Sequence, residues 1–96
     1  MVLNGDSHWY ERFAPLNSSG AVDNTFGVRE FIVGTGGAGL DTPGAQRPGS
    51  QVLNATTHGV IKLTLHGGSY GWQFSNDGES AFTDSGSANC HNKPPA

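Results

Sequence analysis

Four histidines, one cysteine and eight carboxylates are the chain's candidates for holding a metal. Asp6 and His8 stand two residues apart, so on an extended strand end their side chains point the same way. Two such ligands make at most half of a dinuclear centre, which needs groups from several strands at fixed distances. Read without further context, Asp6 is a turn or cap residue. His8 is then an exposed polar residue beside Trp9 and Tyr10. His58 and His66 lie eight residues apart on one extended stretch, roughly 26 Å, too far to share an ion. Both read as solvent-facing sheet residues. Cys90 and His91 are neighbours and would suit a soft metal, but they sit in a polar stretch near the end of the sequence. Gly34-Thr35-Gly36-Gly37-Ala38-Gly39 lacks the Lys-Ser/Thr ending of a phosphate-cradling loop, and no helical pattern follows it. Ser85 has no nearby His–Asp set that would activate it.

The elements that must position these residues are strands. Gly59, Ile61, Leu63 and Leu65 alternate with Val60, Lys62, Thr64 and His66. Tyr70, Trp72 and Phe74 alternate with Gly71, Gln73 and Ser75. Gly67-Gly68 between them is a two-residue turn whose positions tolerate positive φ. That turn pairs His66 with Ser69, Leu65 with Tyr70, Leu63 with Trp72 and Ile61 with Phe74. All six large apolar residues then share one face, and a slip of one residue would scatter them. Val28 to Thr35 reads as a further strand, and Met1-Val2-Leu3 as a short one. Residues 14–27 and 40–56 read as long loops rich in Pro, Gly, Asn and Ser. Ser80 to Asp84 reads as a last short strand, and residues 85–96 as a flexible tail.

No segment carries a helical period. The expected fold is therefore all-β: one small domain over residues 1–96, built as a small antiparallel sheet or partial β-sandwich with long loops and little helix. With 96 residues, 34% of them hydrophobic and 15 glycines, the core is thin. Such a domain gains from a metal, a second copy or the rest of a larger protein. A net charge of −3 with only five Lys plus Arg argues against a nucleic-acid surface. No run approaches the roughly 20 apolar residues that span a bilayer. Met1 leads straight into Val2-Leu3-Asn4-Gly5, so no signal peptide is expected here. The single cysteine forms no internal disulfide and is a free thiol or half of an external bridge. Asn54-Ala55-Thr56 is a glycosylation sequon of the kind that arises by chance.

Four segments in order carry a resemblance. Asn4-Gly5-Asp6-Ser7-His8-Trp9-Tyr10-Glu11-Arg12-Phe13 resembles a Gly-His-x-His metal motif followed by a Tyr-Glu-Arg run. Arg29-Glu30-Phe31-Ile32-Val33-Gly34-Thr35-Gly36-Gly37 is similar to the strand and glycine loop that follow it. Gly59 to His66 with Tyr70 to Phe74 resembles a terminal hairpin. Phe82 to Ser87 with Cys90-His91 resembles a closing segment. The family these resemble is the calcineurin-like metallophosphoesterases of the purple acid phosphatase type, in their bacterial secreted members. The resemblance implies a β-sandwich flanked by helices in which two metal ions polarise a phosphoester and activate a bound water or hydroxide.

By that resemblance His8 matches the second His of the motif, a metal ligand for iron, zinc or manganese. Asp6 stands where the first His belongs and offers a hard oxygen ligand instead. The glycine loop falls on the active-site side. The family's other ligands lie in motifs upstream of this stretch, so the chain is expected to be a truncated metallophosphoesterase fragment, inactive alone, with residual metal binding at Asp6 and His8. Its expected partners are the missing N-terminal catalytic part or a second copy in a homo-oligomer. A secreted or periplasmic location is implied by the family alone. The alternative is a non-enzymatic small β protein that self-associates through open strand edges or an apolar hairpin face. A third expectation is metal sequestration through His8, His91 and Cys90.

Overall fold

The computed structural model describes residues 1–92 and contains seven strands and no helix among them. They are β1 (Val2–Asn4), β2 (Tyr10–Phe13), β3 (Glu30–Val33), β4 (Ser50–Asn54), β5 (Gly59–Leu65), β6 (Ser69–Asn76) and β7 (Asp84–Asn89). They form two sheets, one ordered β1-β3-β2-β4 and the other β5-β6-β7. The all-β expectation holds in its partial-sandwich form. All pairs are antiparallel except β1 with β3, which is parallel.

The hairpin of β5 and β6 has the register that its apolar pattern dictates. Ile61 pairs with Phe74, Leu63 with Trp72 and Leu65 with Tyr70. The His66 amide donates to the Ser69 carbonyl at 2.9 Å and closes the turn. The turn conformation differs from expectation, since neither Gly67 nor Gly68 adopts a positive φ. The Gly68 carbonyl instead accepts from the Cys90 amide at 2.9 Å, tying the turn to the end of β7. The aromatic residues of β6 are buried, whereas Leu65 at the tip remains 66% exposed.

The two sheets meet on an aromatic layer. Tyr10 and Phe31 from the first sheet pack against Tyr70, Trp72 and Phe74 from the second. The Tyr10 and Phe74 rings lie 4.6 Å apart, and Phe31 meets Trp72 edge-on at 5.5 Å. Val33 and Val52 on one side, with Ile61, Leu63, Phe82 and Ala88 on the other, fill the margins. Offset and edge-to-face ring pairs of this kind add about 1 kcal/mol each beyond burial.

Two strands lie where the sequence reads otherwise. β2 is Tyr-Glu-Arg-Phe, and its two charges hide the strand. Tyr10 and Arg12 face the second sheet, while Glu11 and Phe13 face away, beneath the loop that carries Arg47. β4 falls within residues 40–56, expected as one loop; only Val52 and Leu53 give it apolar weight, one on each face. The last strand is also displaced. It spans Asp84–Asn89 rather than 80–84, so most of the stretch expected as a tail before Cys90 is sheet. Residues 93–96 of that expected tail lie outside the described residues.

β7 is made of small polar residues because of what it covers. A Cβ on Gly86 would stand 2.5 Å from Cζ2 of Trp72, so only glycine lets the indole lie against this strand. Asp84 and Ala88, on the same face as Gly86, point into the interface. Sequence hydrophobicity carries no trace of a strand whose function is to present a bare backbone to a ring.

Candidate functional site

The structure places Asp6 and His8 in a coiled turn before β2 rather than on a strand end. The Ser7 amide donates to the Gly5 carbonyl at 2.8 Å, and the Trp9 amide to the Ser7 carbonyl at 2.9 Å. Asp6 sits at φ 69° and is exposed. Strand alternation therefore does not aim the two side chains together, and the carboxylate beside His8 is Asp41.

His8 is held by the loop that follows β3. Its Nδ1 lies 2.8 Å from the Gly39 carbonyl. A carbonyl only accepts, so Nδ1 carries the proton and the lone pair of the neutral ring is on Nε2. Asp41 Oδ1 lies 3.8 Å from the same Nδ1. The His8 backbone is paired with the same residue: its amide donates to Asp41 Oδ2 at 2.9 Å, and its carbonyl accepts from the Asp41 amide at 3.1 Å. The side chain is 38% exposed. The glycine loop makes this possible at close range. A Cβ on Gly34 would stand 2.0 Å from the Ser7 carbonyl oxygen, so glycine is required where residue 34 passes the turn.

The other histidines separate. His58, just before β5, is half-buried and donates from Nε2 to the Ala38 carbonyl at 2.8 Å. It is a loop anchor and not the solvent-facing residue expected. His66 is exposed past the end of β5, as expected. His91 donates from Nδ1 to the Gly27 carbonyl at 2.8 Å, while the Cys90 thiol is exposed. Among the described residues no three His, Cys, Asp or Glu side chains converge on one point. His8, His91 and Cys90 therefore do not come together, and no complete two-ion ligand set is present among the described residues.

Two further clusters were not singled out in the sequence, and both arise from the alternation of β2. On the inner face Asp84 accepts from Tyr10 Oη at 2.5 Å, Arg12 Nε at 2.8 Å and an Arg12 terminal nitrogen at 3.1 Å. Arg12 and Arg29 both stack on Trp72, at 5.2 and 4.9 Å from the ring centroid. Burial pushes the Asp84 carboxyl up, but the hydrogen bonds from Arg12 and Tyr10 and the Arg12 charge outweigh it and hold it below its ordinary value. Burial, reinforced by the Asp84 carboxylate, pushes the Tyr10 phenol far above its ordinary value. The Trp72 indole N–H, sealed from solvent, has no partner at hydrogen-bond distance among the described residues, although it also helps lower the Asp84 carboxyl.

On the outer face Glu11 is 2% exposed. Its Oε1 accepts from the Trp9 indole at 3.1 Å and from Arg47 at 3.3 Å. Arg47 also lies over the Phe13 ring at 4.9 Å. A cleft of about 260 Å³ opens here beneath residues 43–47. The sequence signal for this cluster was present but faint: a Trp-x-Glu spacing at the start of a strand, with its Arg partner 36 residues away.

No family model, no curated protein and no solved structure matches the chain.

Proposed function

We propose that this chain is a metallophosphoesterase-like β unit that offers His8 as one metal-ligand arm and does not hydrolyse phosphoesters by itself. The observation that carries the reading is the setting of His8. Its Nδ1–H is fixed on a backbone carbonyl, a carboxylate stands behind it, and Nε2 is left as the free donor. Ligating histidines are held in this way by the groups around them. Iron, zinc or manganese would suit the imidazole, with Asp6 as the oxygen donor nearest in sequence, while Asp41, on the Nδ1 side, braces the ring. Such an ion would polarise a phosphoester and activate water once its remaining ligands were supplied by another segment or subunit.

The test is calorimetric titration with Zn²⁺ and Mn²⁺ alongside turnover of p-nitrophenyl phosphate. The expected result is weak saturable binding, lost in His8→Ala, with no turnover. Absence of His8-dependent heat overturns the ligand reading. Robust turnover abolished by chelator overturns the inactivity.

A second reading, self-association, is favoured by one observation. β1 is an edge strand, and Met1, Val2 and Leu3 are 42, 45 and 50% exposed. Such an edge invites strand addition by another copy. Light scattering that reports a monomer at all concentrations, unchanged in Leu3→Lys, removes it.

A further inference from the structure

We propose that the cleft on the outer face of β2 binds a single neutral sugar ring, with Glu11 Oε2 as the principal acceptor for its hydroxyls. The argument begins with the unused oxygen. Oε1 takes both donors, from Trp9 and Arg47, and Oε2 takes none among the described residues. Yet Oε2 is not sealed, because the one sealed polar side-chain atom without a partner among the described residues is Trp72 Nε1. A carboxylate within a residue that is 98% buried thus keeps one oxygen unpaired beside the cleft that the residue lines. Most buried polar side-chain atoms are hydrogen-bonded within the protein, so an unpaired carboxylate oxygen beside a cleft is an acceptor available to a ligand.

Charge selects the ligand class. Glu11 and Arg47 are an ion pair at 3.3 Å, so the cleft wall is neutral overall. A cation drawn to Glu11 meets Arg47, and an anion drawn to Arg47 meets Glu11. A neutral molecule that both donates and accepts hydrogen bonds satisfies the two at once. The remaining lining divides in the same sense. Trp9, Pro43 and Leu53 supply apolar surface for ring C–H groups, and Ser7 supplies a hydroxyl. A face of C–H groups edged with hydroxyls is the surface of a pyranose. At about 260 Å³ the cleft lies just below the usual range of small-molecule sites, which suits one ring and not a chain of them.

A larger cavity, about 460 Å³ between residues 26–29, the start of β6 and the end of β7, has no equivalent group. Arg29 there is already committed to Tyr70, Phe13 and Gln51, and the Nδ1 of His91 to Gly27.

The test uses ¹⁵N-labelled protein titrated with methyl glucopyranoside, methyl galactopyranoside and N-acetylglucosamine, with tetramethylammonium and acetate as ionic probes. The readout is the indole N–H signal of Trp9, assigned by its disappearance in Trp9→Phe. At least one sugar is expected to give a saturable millimolar shift, weakened about tenfold or more in Glu11→Gln, which keeps the shape but weakens the acceptor. Silence of all three sugars overturns the proposal, as does saturation by an ionic probe alone or an unchanged affinity in Glu11→Gln. Should Glu11→Gln fail to fold, Arg47→Ala decides: its side chain is 58% exposed and the same weakening is expected.

Discussion

Glu11 and Arg12 are consecutive residues of one strand, and each forms an ion pair, but the two pairs are built to different ends. Arg12 turns inward and meets Asp84 across the gap between the sheets, with side chains 16 and 10% exposed. Both Asp84 oxygens are occupied, by two guanidinium nitrogens and a phenol. Glu11 turns outward and meets Arg47, which is 58% exposed, and only one of its oxygens is used. The inner pair is closed and joins two layers. The outer pair is open and borders a cleft. A strand with charges on both faces thus separates a structural task from a binding task by the two-residue period of its side chains.

The sharpest way to break this contrast is to remove Asp84. Asp84→Ala strips a buried carboxylate from Arg12 and Tyr10, and urea denaturation is expected to report a loss of about 3 kcal/mol, as for other pairs left with one buried partner. A loss no larger than that of an exposed pair would put the inner cluster on the same footing as the outer one.

Acid supplies a second, smaller effect with a definite sign. The folded-state pKa of Asp84 is depressed, so its contribution is present above the unfolded carboxylate value, about 3.9, and is lost as pH falls through the lower folded value. Denaturation midpoints should therefore fall steeply below about pH 4. Asp84→Asn should start lower and show a flatter acid limb. An unaltered acid limb in that variant would show that Asp84 is not the group responsible.

The outer pair should yield the smallest changes. Glu11→Gln retains an acceptor for Trp9 and is expected to cost about 1 kcal/mol. Arg47→Ala removes a largely solvated partner and should cost about 0.5 kcal/mol. If Glu11→Gln costs as much as Asp84→Ala, the outer carboxylate is a structural anchor, and the open oxygen carries less meaning than its geometry suggests.

The parts of the fold legible in the sequence were those written in apolar periodicity. Ile61, Leu63 and Leu65 against Tyr70, Trp72 and Phe74 defined the hairpin to the residue. β2 and β7 were not legible, for opposite reasons. In β2 each charge finds a partner far along the chain, Asp84 for Arg12 and Arg47 for Glu11, and no local pattern announces such distant pairing. In β7 the decisive residue is Gly86, which is chosen for the side chain it lacks. The surroundings of His8 were half legible. The residue itself stood out, whereas Asp41 and the Gly39 carbonyl lie more than thirty residues away in a stretch without pattern. Asp6 was expected as the companion of His8 because it stands where the resembled motif has its first His, and the turn at Gly5–Trp9 removes the strand end that would have aimed the two together.

The unequal connectivity of the two sheets has a kinetic consequence. β5, β6 and β7 follow one another through short links, while β1, β3, β2 and β4 are interleaved, with sixteen-residue loops before β3 and before β4. Nearby strands zip within microseconds, whereas distant ones first surrender loop entropy. The C-terminal hairpin is then the template of the folding reaction. Its row of rings is expected to be the surface on which the other half of the molecule condenses later, as slower amide-exchange protection of β1–β4 during refolding would show.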